Sequence, residues 1–320
     1  MTGQFGWAST SDDVLSGMDL QDKRILVTGV SAGLGVETAR ALVAHGANVV
    51  GTARNLAKAK QATDGIRSVV RFGGGSLELI DLDLADLTNV RSCADRLLAD
   101  GRLFDLIISN AGVMATPFGL TVDGFEMQFA TNHVGHFVLV NRIASLLRDG
   151  GRLVTLSSAA HHISDVSLVD PNFAHTDYDP WVAYGRSKTA VALFAVAFDK
   201  RHRDRGVRAT TVHPGGIQTE LGRHIPAKDA QALTDQMNEA LAAAGKPPFK
   251  WKSIPQGAAT SIWAGITADA DIVGSHYCED CHVASINDGP TMDGVRSYAL
   301  DPEHAEALWA KSEELVGEHF

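Results

Sequence analysis

Cysteine is scarce in this chain, with three among 320 residues. That is too few, and an odd number, for a disulfide framework. Basic residues are outnumbered: 28 Lys and Arg face 38 Asp and Glu, for a net charge of −10. A nucleic-acid partner requires a basic face, so none is expected, and an anionic ligand would have to be held by local donors. No apolar run reaches the roughly 18 residues that suggest a membrane span. The first twenty residues are polar and acidic, without the basic and apolar regions of a signal peptide. These absences lead to the expectation of a cytoplasmic protein with no membrane span. Hydrophobic residues at 45% and charged residues at 21% are ordinary for a globular chain.

No metal is expected either. Cys278-Glu279-Asp280-Cys281-His282 has the spacing of a c-type haem attachment, but that chemistry requires export. A zinc site wants four ligands, for which His276 and His282 would have to join the two cysteines. Ser275, Tyr277 and Val283 around them read as a short strand and its turn, so reduced, structural cysteines are expected.

What the chain does have is an alternation of short apolar runs and helical stretches. Residues 1–20 show little periodicity and are read as an N-terminal extension, with one domain over 21–320. Ile25-Leu26-Val27 is a continuous apolar run, as suits a strand buried on both faces. Thr28-Gly29-Val30-Ser31-Ala32-Gly33-Leu34-Gly35 follows, then a helix from Val36 to His45. Strand, glycine-rich turn and helix N-terminus together make a phosphate cradle, because glycines allow close backbone approach and the helix end offers unpaired N–H donors. Gly29, Ser31, Gly33, Leu34 and Gly35 are therefore candidate cofactor contacts.

The second strand, Ala47 to Ala53, ends at Arg54. An acid at this place bonds the ribose 2′-hydroxyl of NAD, whereas an arginine accommodates the 2′-phosphate of NADP. Arg54 therefore favours NADP(H) over NAD(H). Leu77–Ile80 is a third strand, leading to Asp83 and Leu84 near where an adenine would lie. Asp86–Leu98 reads as a helix and Phe104–Ile108 as a fourth strand. The turn Ser109-Asn110-Ala111-Gly112 comes next, whose small residues let a ribose approach. Gly124–Leu147 reads as one long helix with Asn132 at an unfavourable mid-helix position. Arg152–Leu156 is a fifth strand ending in Ser157-Ser158.

Residues 159–180 and 217–255 are expected to wall a substrate pocket, the latter as a lid, with Met114, Ala115, Phe118 and Trp181 making it apolar. His161 and His162 are expected to be hydrogen-bonding groups. Trp181 to about Arg203 reads as a helix carrying Tyr184 and Lys188. Their spacing of four places both side chains on one face. A cation within about 4–6 Å favours a phenolate, so Lys188 is expected to lower the Tyr184 pKa toward neutrality. The middle of this helix, Ala190 to Phe198, is apolar all round, so one side should meet the sheet and the other a second subunit. A homodimer or homotetramer through the helices at 130–147 and 181–203 is expected. Val207–His213 is a sixth strand leading to Pro214, Gly215, Ile217 and Thr219. Gln256–Thr267 reads as a helix and Gly274–Cys281 as a seventh strand. A helical tail covers about 301–320.

With these pieces in order, the stretch from Lys23 to Ile286 resembles the short-chain dehydrogenase/reductase family. Thr28-Gly29-x-x-x-Gly33-x-Gly35 is similar to its cofactor loop, and Ser109-Asn110-Ala111-Gly112 to its Asn-Asn-Ala-Gly turn. Within the family, Thr131-Asn132-His133-Val134-Gly135-His136-Phe137 and Tyr184-Gly185-Arg186-Ser187-Lys188 look most like the retinol-dehydrogenase and WW-domain-oxidoreductase group. The resemblance implies a single-domain α/β Rossmann fold, here with a seven-stranded, mostly parallel, doubly wound sheet flanked by helices. It implies Ser158, Tyr184 and Lys188 as the catalytic set and Asn132 as the holder of a relay water. It implies Tyr184, Lys188, Asn110, Ala111, Gly112, Pro214, Gly215, Ile217 and Thr219 as cofactor neighbours. The expected activity is hydride transfer between NADP(H) and a small-molecule secondary alcohol, ketone or aldehyde. The alternatives are a nicotinamide-dependent epimerase or dehydratase, and a cofactor-binding regulator without chemistry.

Overall fold

The fold is built on one eight-stranded sheet. Its strands are β1 (Arg24–Thr28), β2 (Asn48–Ala53), β3 (Ser76–Asp81), β4 (Phe104–Ser109), β5 (Leu147–Leu156), β6 (Arg208–His213), β7 (Tyr277–Glu279) and β8 (His282–Val283). A computed structural model describes residues 5–66 and 74–320. The strand order is β3-β2-β1-β4-β5-β6-β7-β8. The first seven run parallel and β8 turns back antiparallel on β7. From β1 the chain winds outward through β2 and β3, then returns to β4 on the other side of β1. The strand order reverses there, and a crevice opens at the carboxyl ends of β1 and β4, where ligands bind in such sheets. The central strands are apolar on both faces because helices cover both.

The sheet has one strand more than the expected seven. β8 is two residues long, so it carries no alternation to read. Its turn is also unmarked: Asp280 and Cys281 have φ of +47° and +58°, a two-residue hairpin conformation that usually announces itself by Asn-Gly or Asp-Gly.

The segment before β1 is part of the core. Ser11–Leu15 forms helix α1, with Thr10 and Asp13 in a reciprocal capping box. Val14, Leu15 and Leu20 are buried with β1 and the next helix. Five residues are too few for helical periodicity to show, which is why 1–20 reads as an extension. The expected single helix over Gly124–Leu147 is also corrected. Met127–Phe129 passes through a π-helical turn, Ala130–Val134, into a helix at Gly135–Arg142, and Leu147 already begins β5.

Numbering helices in chain order, α2 is Gly33–Ala44, α3 Leu56–Ala62, α4 Leu87–Asp100, α5 Gly135–Arg142 and α6 Pro180–His202. After them come α7 (Ala227–Ala243), α8 (Ile254–Ile262) and α9 (Pro302–Val316). Asp179 caps α6 by accepting from the N–H groups of Trp181 and Val182, with Pro180 at its first position. From Ala183 to Asp199 its residues are buried, apart from a half-buried Arg186.

The side of the helices at 130–147 and 181–203 for which a second subunit is expected is packed within the chain itself. The chain's own α9 lies there. Trp309 stacks on Phe194 at 6.0 Å and meets Phe137 edge-on at 5.1 Å. The Arg201 guanidinium sits 3.8 Å from the Trp309 ring and pairs with Glu306. An all-apolar helix requires a partner on each side, but its sequence does not say that the second partner is Trp309, 115 positions beyond Phe194. Trp309→Ala is expected to cost about 3–5 kcal/mol, since Trp309 is only 4% exposed. That corresponds to a fall in thermal midpoint on the order of 10 °C. An unchanged midpoint in a thermal melt would show that α9 contributes nothing to this packing.

Candidate active site

The crevice begins where β1 ends. Gly29 and Gly33 adopt φ of +78° and +57°, a region open to glycine at little cost. A Cβ on Gly35 would lie 2.2 Å from the Gly29 carbonyl oxygen and 2.6 Å from Asn110 Nδ2, so α2 packs directly on the turn. Asn110 fixes the turn from β4, its Nδ2 donating to Thr28 O at 2.7 Å. No side chain caps α2, whereas α4 and α6 are capped by Asp86 and Asp179. The first-turn N–H groups of α2 are therefore free to bind an anion lying against the glycine turn. A nicotinamide dinucleotide fits this cradle.

The cavity over these strand ends has a volume of about 1320 Å³. Of the positions that the sequence marked as catalytic or cofactor-binding, all but Asn132 line it: Gly29, Ser31, Gly33, Leu34, Gly35, Arg54, Asp83, Leu84, Asn110, Ala111, Gly112, Ser158, Tyr184, Lys188, Pro214, Gly215, Ile217 and Thr219. Arg54 stands exposed at the end of β2.

Asn132 is buried behind the cavity wall, within the π turn. Its Oδ1 accepts from the Val113 N–H at 2.8 Å. Its Nδ2 donates to Val113 O at 3.0 Å and to Ser187 Oγ at 2.9 Å. It thus ties the turn after β4 to α6. Its backbone carbonyl faces His136 Nδ1 at 3.1 Å, while His136 Nε2 lies 2.9 Å from Thr28 Oγ1. The Asn132 carbonyl can only accept, so the ring donates to it from Nδ1; in the neutral ring Nε2 then accepts from the Thr28 hydroxyl, which itself accepts from the Ala111 N–H at 3.0 Å. A neutral ring satisfies every partner, and burial lowers the His136 pKa to about 4. Thr28, His136 and Ser187 were not singled out from the sequence. Only the spacing of polar groups in an otherwise apolar stretch could have marked them.

Ser158 follows β5 and caps the short turn Ala159–His162. Its Oγ accepts from the Ala160 N–H at 3.2 Å. One lone pair is thereby used, and the hydroxyl proton remains to donate into the cavity. His161 and His162 are buried hydrogen-bonding groups behind it. His161 Nδ1 meets Ser158 O at 2.8 Å and its Nε2 accepts from the Arg296 N–H at 3.1 Å. His162 Nε2 lies 3.1 Å from Gly294 O.

Tyr184 and Lys188 share one face of α6, with Lys188 Nζ 5.7 Å from the centre of the Tyr184 ring. The expected direction of the Tyr184 shift is corrected. Burial pushes its pKa up to about 12, opposed by the Ser158 side chain. Burial also brings Lys188 down to about 7. Among the described residues neither group has a counter-ion in the wall, and Lys188 Nζ donates to Leu156 O alone, at 2.8 Å. Desolvation outweighs their mutual effect, so the protein alone holds the phenol protonated.

The outer cavity is apolar, with Met114, Trp181, Phe249 and Trp251 among its walls. Trp181 stands edge-on to Tyr184 at 6.3 Å. Ala115 and Phe118 do not line it; Phe118 is 54% exposed and packs on Tyr178. Of the first expected wall only Ala159, Ala160 and Ile163 reach the cavity, and Met292, from beyond β8, joins them.

The three cysteines are free and buried. Burial raises the Cys278 thiol to about 12 and the Cys281 thiol to about 11. Among the described residues no group of three or more His, Cys, Asp or Glu is placed to hold a metal, and no helix is long and apolar enough to cross a membrane.

Comparison with known proteins gives the same picture. A family model described as short chain dehydrogenase matches residues 23–230. The short-chain dehydrogenase/reductase prx1 of Penicillium roqueforti is 36% identical over 319 residues, covering 96% of this chain and 90% of the relative. A solved structure of an uncharacterised protein from Mycobacterium paratuberculosis is similar with a TM-score of 0.71 and 32% identity, covering 98% of this chain and 99% of the other. A short chain dehydrogenase from Burkholderia cenocepacia, solved in complex with NADP, gives a TM-score of 0.63 at 25% identity, covering 82% of this chain and 98% of the other.

Proposed function

The chain belongs to the short-chain dehydrogenase family of NAD(P)-dependent oxidoreductases, and from that premise we propose that it moves hydride between NADP(H) and a bulky, apolar secondary alcohol or ketone. The observation that carries this reading is the meeting of Ser158, Tyr184 and Lys188 at one cavity with the glycine turn after β1. When bound, the nicotinamide supplies or accepts the hydride; the residues of the chain do the rest. The Ser158 hydroxyl donates to the substrate oxygen and holds it beside the Tyr184 phenol. Tyr184 gives that oxygen a proton in reduction and takes it back in oxidation. Lys188 supports the charge that forms on the phenol. Asn132 fixes the turn that closes the inner end of the cavity. The protein's apolar outer cavity excludes water and favours a lipophilic substrate body. Buried free thiols suit a reducing compartment, in line with a cytoplasmic enzyme.

The preference for NADP(H) rests on Arg54, an exposed cation lining the cavity at the end of β2, where the strand end itself carries no acid for a ribose hydroxyl. Loss of one charge-assisted phosphate contact is worth about tenfold in affinity. Arg54→Ala is therefore expected to raise the KM for NADPH about tenfold and leave that for NADH within about twofold. The assay follows NADPH oxidation at 340 nm with a panel of ketones of increasing apolar size. No turnover across the panel would remove the enzymatic reading, and an equal effect of Arg54→Ala on both cofactors would remove the phosphate assignment.

A further inference from the structure

A second cation stands beside Arg54, and its partner sits on the lid. Asn55 caps α3 by accepting from the Lys58 N–H at 2.9 Å, which sets Lys58 in the first turn of that helix. Arg54 and Lys58 both line the cavity, so the end of β2 and the start of α3 present two cations to one place. The Lys58 ammonium forms an ion pair with the Glu220 carboxylate. Glu220 opens the turn Glu220–His224, directly after Thr219, and it too lines the cavity. Arg54, by contrast, has no ion-pair partner among the described residues.

We propose that Lys58 and Glu220 form a specificity switch for the 2′-phosphate of the cofactor: Lys58 shares that phosphate with Arg54, and Glu220 competes with it for the same ammonium. Their side chains are 46% and 57% exposed. A pair so open to water is held weakly, whereas a phosphate dianion between two cations makes stronger, charge-assisted bonds. The phosphate therefore wins the ammonium and frees the first turn of the lid from α3. A cofactor without that phosphate has nothing to offer Lys58 and leaves the pair in place. Glu220 in this way sets how much affinity the phosphate adds, and it couples adenosine recognition to the segment that walls the substrate. The inference rests on the NADP reading above and is tested separately from it.

The test is calorimetric titration of the full chain with adenosine 2′,5′-bisphosphate and, in parallel, with adenosine 5′-monophosphate, neither of which depends on turnover. Lys58→Met is expected to weaken the bisphosphate about tenfold and leave the monophosphate within about twofold. Glu220→Gln is expected to tighten the bisphosphate several-fold, again without moving the monophosphate. In the Lys58→Met background Glu220→Gln is expected to have little effect, because the competition needs the ammonium. Unchanged or weaker bisphosphate binding in Glu220→Gln, or equal shifts for both ligands, would overturn the switch. If Arg54→Ala alone weakens the bisphosphate, the NADP reading stands and this inference fails. If neither Arg54→Ala nor Lys58→Met does, the NADP reading itself fails.

Discussion

Tyr184→Phe is expected to lower kcat for ketone reduction by about a thousandfold, within the range that a positioned proton donor contributes. The substitution removes one oxygen atom and keeps the ring, which is 2% exposed and packs against Trp181. The fold and the glycine turn are left as they are, so NADP affinity is expected to stay within about twofold while only the chemical step suffers. The pH dependence should separate Tyr184 from Lys188. Burial pushes the phenol up to about 12, so its proton is present throughout the neutral range. Burial brings Lys188 down to about 7, so its ammonium is lost as pH rises through neutrality. A decline in reduction rate that starts near pH 7 therefore reports Lys188, and Lys188→Met should abolish that limb. Turnover of Tyr184→Phe close to that of the unmodified protein would dispose of the acid/base assignment.

Much of this site was legible in the sequence because its parts are local. Ile25-Leu26-Val27 reads as a buried strand by composition alone, and the glycines after it have a backbone reason to be there. Tyr184 and Lys188 are four residues apart on one helix, so their shared face follows from helical geometry. What the sequence could not show depends on residues far apart in the chain. His136 meets Thr28 across 108 positions, and nothing in Asn-His-Val-Gly-His tells which of its polar groups turns inward or toward which strand. Asn132 at an unfavourable mid-helix position marks some irregularity, but it does not announce the π turn at Ala130–Val134 that decides where Asn132 points. Trp309 covers α6 from the far end of the chain, which is why an apolar helix read as an unfilled interface. The sign of the Tyr184 shift depended on how dry the cavity wall is, and a spacing of four says nothing about that.

The same dryness makes the protein sensitive to acid. His133, His136 and His161 are at most 2% exposed, and burial lowers their pKa values to about 3, 4 and 3. An unfolded histidine titrates near 6.5. Between about pH 6.5 and 4 the unfolded chain therefore binds protons that the folded chain refuses, and stability falls as pH falls through that window. The surroundings reinforce the refusal: His136 faces Lys188, and His161 faces His162, His213 and Arg296. His133 has its Nε2 on Ser312 Oγ at 2.8 Å, no partner for Nδ1 among the described residues, and the rings of Phe129, Phe137 and Phe194 around it. Glu126 and Glu279, raised by burial, carry the opposite sign and regain some stability as they protonate. Asp199 would be raised by burial, but Arg208, Ser275 and Arg203 hold it below its usual range, so its contribution is lost only at lower pH. Three protons correspond to a limiting slope of about 4 kcal/mol per pH unit. Over one to two units that is comparable with the whole stability of a typical domain. The urea midpoint is thus expected to decline gently from pH 7.5 to 6.5, where folded Lys188 is still taking up the proton that its unfolded form already holds, then to fall steeply and vanish near pH 5. His133→Leu, which replaces the ring with an apolar side chain among aromatic neighbours, should make the slope shallower by about one proton. A midpoint that stays level from pH 7 to 5 would mean that these rings accept protons in the folded state, and the neutral tautomer that joins Thr28 to Asn132 through His136 would lose its basis.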